Sequence, residues 1–159
     1  MRKTLAFIAV AALVALWTLT AQAIYGAPPL PPRIPIHFDF AGNINGWGEP
    51  RMLWLLPIIA TCAVALMTVI GFYPQTFNYP VRVTPANRPR LEAITLGMIA
   101  WLQAELAGLF LWIQYVIIRS ERTSRNNLSG GLLALAVVAI LATVAAHLIA
   151  TVRAARESA

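Results

Sequence analysis

Residues 52–72 read MLWLLPIIATCAVALMTVIGF. A helix needs about 20 mainly apolar residues to cross the hydrocarbon core of a bilayer, and this stretch meets that length. Three more stretches do the same: about 5–23, 91–118 and 131–152. Lipid offers the backbone no hydrogen-bond partner, so all four are expected to be helices. The third is long enough to tilt or to project from the membrane. Without repeats or a low-complexity linker, residues 1–159 read as a single integral membrane domain. The expected fold is all-α: four transmembrane helices with a short β-hairpin-like extracytoplasmic cap between helices 1 and 2.

The composition agrees. Of 159 residues, 59% are hydrophobic and 11% charged, and mean hydropathy is +0.70. A soluble domain carries about 25% charged residues. The net charge of +6 does not point to nucleic acid, because the Arg residues cluster at the ends of apolar segments, where they anchor and orient a membrane protein. Cys62 is the one cysteine; it excludes an intrachain disulfide and reads as a small buried hydrophobe.

The first segment has two readings. MRK, an apolar run and AQA at 21–23 resemble a signal peptide with its cleavage site. The length of the run, and Trp17 near its outer end, favour a retained helix. Arg2, Lys3, Arg82, Arg88, Arg90, Arg153 and Arg156 fall on one side of the membrane; Arg33, Arg51, Arg119, Arg122 and Arg125 fall on the other. This bias puts both termini of a multi-pass membrane protein in the cytoplasm.

Between the first two spans lies IPIHFDFAGNINGWG, residues 34–48. Ile34, Ile36, Phe38 and Phe40 alternate with His37 and Asp39, the period of a strand with one apolar face. Asn45-Gly46 supplies a tight-turn signal, and Trp47 an interfacial anchor. His37 and Asp39 share a face, with Asn43, Asn45 and Trp47 nearby, which makes these five the candidate partner-binding residues. Two ligands are too few for a metal, and a calcium loop fails because Ala41 would stand at its first position. In the second loop, Thr84-Pro85 looks like a helix start, with Asn87 the competing one. Arg82, Arg88 and Arg90 would meet lipid headgroups.

Glu105 sits near the middle of the third span, where a carboxylate is costly and marks a functional candidate. At about 100° per residue it shares a face with Trp101, Gly108 and Trp112, opposite Gln103 and Gln114. Thr61, Thr143 and His147 are its candidate partners, although His147 is about 9 Å off along the axis. Ala142, Ala146 and Ala150 form a small-residue seam suited to tight helix contact, within the chain or between copies.

LPPRIPIHFDFAGNINGWGEP, followed by an apolar span and FNYPVRVTPANRPRLE, resembles the bacterial membrane domain of unknown function 1648, which also forms the N-terminal part of SdpI-type immunity proteins. The resemblance covers about residues 25–118. It rests on His37, Phe38, Gly42, Gly46, Trp47 and Gly48 in the first loop and on Asn78, Tyr79 and Pro80 in the second. SdpI-type proteins continue into a further multi-span domain; this chain has one more span. The resemblance implies a membrane domain without catalytic residues to carry over, and more distantly immunity to a secreted toxic peptide or signalling to a partner.

The chain is expected to be a non-enzymatic binding, immunity or signalling module whose loop 28–50 contacts a peptide, lipid or protein partner. The alternative is an oligomeric transporter or channel component using Glu105. No hydrolase, metalloprotease or phosphate-loop motif is present, and no cofactor or metal is expected. The expected partners are membrane lipid, a secreted peptide or another membrane protein, and further copies of the chain.

Overall fold

The computed structural model describes residues 1–39, 42–123 and 130–157. Helix α1 spans Arg2–Tyr25, strands β1 and β2 span Ile34–Phe38 and Ile44–Gly48, and helices α2, α3 and α4 span Leu55–Gly71, Arg88–Thr123 and Gly130–Arg156. Short 3-10 turns at Pro50–Trp54 and Pro74–Thr76 lead into and out of α2. Each of the four helical segments is long and apolar enough to cross a membrane, with the turn before α2 contributing to its span. Phe40 and Arg125 lie outside the described residues, as does the side chain of Arg122.

Helix α3 is the hub. Its 36 residues extend about 54 Å, so it outruns the hydrocarbon core. It packs against α1, α2 and α4. Small residues permit the close approach: Ala100, Ala104 and Ala107 of α3 are buried, two of them against Leu5 of α1, and Ala107 against Ala9 and Val64. Two amides on other faces of α3 tie it to its neighbours. Gln103 donates to Thr68 Oγ1 at 2.8 Å and to the Val64 carbonyl at 3.2 Å, both on α2. Gln114 donates to Thr20 Oγ1 of α1 at 2.8 Å and to the Leu53 carbonyl at 3.2 Å.

The start of α3 is held by a reciprocal cap. Thr84 N–H donates to Asn87 Oδ1 at 2.8 Å, and Asn87 N–H donates to Thr84 Oγ1 at 3.2 Å. Asn87 Nδ2 also donates to the Arg82 carbonyl at 3.0 Å. Helix α3 begins at Arg88, the start near Asn87, and Thr84 and Asn87 cap one another across the turn that precedes it, in the manner of a capping box. Pro85 and Pro89 occupy positions whose missing N–H groups are not needed by that turn.

Three details depart from the sequence reading. Cys62 is exposed, not buried; in a membrane protein the outer face of a helix is itself apolar, so a small thiol belongs there as readily as inside. Thr61 accepts a 3.0 Å bond from Trp17 Nε1, so it is not the partner of Glu105. The hairpin turn is displaced from Asn45-Gly46, both of which lie within β2.

Candidate functional site

The hairpin is docked on one end of the bundle. Ile34 is 1% exposed and packs with Ala23 of α1, Leu53, and Ile117 and Ile118 of α3. Ile36 and Phe38 lie partly buried around that cluster. The apolar face expected from the alternation thus meets the helix ends. Pro35 is buried too, and the pairing is irregular between Pro35 and His37 and between His37 and Phe38.

Asp39 makes the turn. Its carboxylate accepts the Asn43 N–H at 2.8 Å and the Asn43 side-chain amide at 3.1 Å. The Gly42 N–H donates to the Asp39 carbonyl at 2.9 Å, and Gly42 has φ 84°, a conformation that favours glycine. Gly46 serves a different end. It stands opposite His37, and a Cβ at 46 would lie 2.8 Å from the His37 Cβ. This close cross-strand approach explains why an Asn-Gly pair occurs here without a turn.

His37 Nδ1 is hydrogen-bonded to Asn45 Oδ1. Of the five candidate binding residues, four are therefore tied in pairs, His37 with Asn45 across the strands and Asp39 with Asn43 at the turn. Trp47 is presented outward, 55% exposed. Beside it a recess runs along Pro32, Arg33, Gly48 and Arg51, with Arg51 paired to Glu49 at 2.6 Å. Among the described residues no three His, Cys, Asp or Glu side chains come together to hold a metal.

A second candidate lies within the spans. Glu105 of α3 accepts a 2.6 Å bond from the Thr143 hydroxyl of α4 on Oε1, while Oε2 is buried with no hydrogen-bond partner. Of its three candidate partners, Thr143 is the one it meets. His147 sits one turn beyond, its Nδ1 2.7 Å from the Thr143 carbonyl, and its Nε2 faces Gly97 of α3. An N–H at Nδ1 donates to that carbonyl, which leaves the Nε2 lone pair toward Gly97 in the neutral ring. Gln103 and Gln114, expected on the opposite face from Glu105, bond to α2, to α1 and to the turn before α2, while Glu105 faces α4.

At the other end of the bundle the three Arg residues proposed for headgroups are all exposed. Arg88 lies 3.5 Å from Glu92, and Arg90 lies 2.5 Å from Glu157 at the end of α4. Tyr79, from the second loop motif, has a buried hydroxyl. Burial pushes its phenol above the ordinary value, with the Thr95 hydroxyl and the Arg88 charge opposing and Glu92 adding. Sequence reasoning gave Tyr79 no role beyond its place in the motif; an aromatic between prolines ahead of a helix cap was the available signal.

Comparison with known proteins adds one match. Residues 4–61 fit the model of DUF1648, described as a domain of unknown function. The match takes in α1, the hairpin and the first part of α2; the second loop motif at 78–80 lies beyond it. No curated protein and no solved structure matches the chain. Residues 4–61 of this multi-pass membrane protein are thus similar to a domain of unknown function, DUF1648.

Proposed function

We propose that the chain is a non-enzymatic binding module of the bacterial inner membrane, with its termini in the cytoplasm. Loop 28–50 contacts a peptide, lipid or protein partner on the outer side. The observation that carries this reading is Trp47, 55% exposed on a hairpin whose opposite face holds Ile34 at 1% exposure. A large aromatic displayed on a docked support costs little ordering entropy when a partner covers it, which is why Trp dominates binding hot spots. Arg33, Glu49 and Arg51 beside it add charged groups of both signs. Immunity to a secreted membrane-active peptide is the specific form of this reading.

The test is a protection assay. Sensitive bacteria expressing the chain are challenged with a panel of secreted membrane-active peptides, beside Trp47→Ala and His37→Ala variants. Protection by the wild type that is lost with Trp47→Ala, at unchanged expression, is the expected result. Full protection by both variants moves the contact away from the hairpin, and no protection by the wild type removes immunity.

Glu105 supports a second reading, an oligomeric transporter or channel component. Its unpartnered Oε2 within a span favours it, since an intramembrane carboxylate with one oxygen unsatisfied is costly to maintain. Undiminished transport by Glu105→Gln would end that reading.

A further inference from the structure

Between α3 and α4, beside Glu105, lies a cavity of about 330 Å³. Its walls are apolar: Gly108, Leu109 and Trp112 from α3, with Leu135, Ala136 and Ala139 among those from α4. Among the described residues, Glu105 is the only ionisable side chain lining it. The volume falls in the range of small-ligand pockets, which combine apolar walls with a few placed polar groups. Gly108 is exposed, and a Cβ there would meet nothing within 4 Å. Leu132 and Leu135 at the rim are 51% and 62% exposed, so the cavity opens sideways, toward lipid.

The carboxyl group decides what belongs inside. Thr143 occupies Oε1, and Oε2 is buried and unpartnered. The ion pairs among the described residues engage Glu49, Glu92 and Glu157, not Glu105. A lipid acyl chain could fill the apolar volume but would leave Oε2 without a partner, at the cost of a buried unsatisfied group. A bare divalent ion needs six or more oxygen ligands, and a single carboxylate with one hydroxyl cannot supply them. A cation carried on an apolar body satisfies both halves. Its charge pairs with the Glu105 carboxylate at the cavity wall, its body fills the space between the helices, and Trp112 gives an aromatic wall of the kind that attracts cations.

We propose that the α3–α4 cavity is a binding site for a lipophilic organic cation, with Glu105 as its counter-ion and Gly108 as the open side. This names a ligand class for the second functional reading and rests on the same carboxylate, but it requires binding alone. The hairpin takes no part in it.

The experiment uses the full chain in lipid nanodiscs and radiolabelled tetraphenylphosphonium, with empty nanodiscs as background. Tetraphenylborate, the anion of the same shape, is the control. The wild type should bind the phosphonium saturably and the borate not. Glu105→Gln keeps the acceptor for Thr143 and the side-chain volume, and should weaken phosphonium binding by about tenfold or more, the scale of a lost charge-assisted contact. Gly108→Leu leaves the carboxylate in place and fills the cavity, so it should also abolish saturable binding; it serves as the independent variant if Glu105→Gln does not fold. Equal affinity in wild type and both variants, equal retention of the borate, or no saturable binding by the wild type would each overturn the proposal. Uptake of the same cation into proteoliposomes, run in parallel, separates the two claims. Binding without uptake sustains the site and removes the transport reading.

Discussion

Gln114 of α3 and Thr20 of α1, 94 residues apart in sequence, meet through a buried 2.8 Å hydrogen bond. The same amide reaches the Leu53 carbonyl just ahead of α2. One side chain thereby joins three segments directly beneath the hairpin, whose anchor Ile34 packs on Leu53, Ala23 and Ile117.

Gln114→Leu should destabilise the bundle by about 1 kcal/mol, the scale of an interhelical hydrogen bond in a membrane protein. The loss is limited because Thr20 keeps its own 2.8 Å bond to the Leu16 carbonyl, and because the Gln114 Oε1, unpartnered and buried, disappears with the amide. Denaturation in mixed micelles, followed by Trp fluorescence, measures it.

Gly46→Val should break the hairpin without dissolving the helices. Its Cβ would meet the His37 Cβ at 2.8 Å, a contact between two backbone-anchored carbons that no rotamer change relieves. A cost of about 1–3 kcal/mol, typical of overpacking, falls on a two-stranded element with little stability of its own. Limited proteolysis should cut within 34–48 while circular dichroism stays helical; an uncut hairpin would contradict the register.

Asn87→Ala removes both side-chain bonds of the α3 cap, the one accepted from Thr84 N–H and the one donated to the Arg82 carbonyl. Asn87 is 2% exposed, so water does not replace them fully. A loss of about 1–2 kcal/mol is expected, with hydrogen exchange accelerating around residues 84–91 before it changes elsewhere.

The Tyr79 phenol, held up by burial, gives a pH dependence with a defined sign. Between the ordinary phenol value of 10.0 and its own higher value, the unfolded chain has released this proton and the folded chain has kept it. The folded state then binds more protons, so stability falls as pH rises through that window and is unaffected by this group below it. Tyr79→Phe should flatten the decline above about pH 10. An unchanged slope would mean that the hydroxyl is not buried in the folded protein.

The spans and the hairpin were legible because they rest on length and period alone: apolar runs of bilayer length, and Ile34, Ile36 and Phe38 on one side of a strand. What misled was local chemistry that tertiary contact reassigned. Asn45-Gly46 carries a turn signal, yet Gly46 is needed for its closeness to His37, and Asp39 with Gly42 takes the turn. Thr61 and Thr143 looked equivalent as partners for Glu105, and only the packing of α4 on α3 separates them. Of the seam Ala142, Ala146 and Ala150, the first two are exposed, so this face is open to contact between copies, the other form of that reading. Cys62 reads as buried on any scale derived from soluble proteins. His37 and Asp39 share a face by period, whereas their bonds to Asn45 and Asn43 depend on a register that sequence does not contain.

Helix α3 is the common neighbour of the other three helices, and this bears on the order of assembly during synthesis. The ribosome delivers α1 and α2 before α3, so the surfaces they will bury against it must first face lipid, while their own contact through Trp17 and Thr61 can already form. Helix α3 then enters bringing Gln103, Glu105 and Gln114, groups that lipid alone does not accommodate. The Thr68, Val64, Thr20 and Leu53 acceptors already waiting in α2, in α1 and just ahead of α2 satisfy two of them at once. Glu105 must wait for the last span, because its hydroxyl partner Thr143 arrives only with α4.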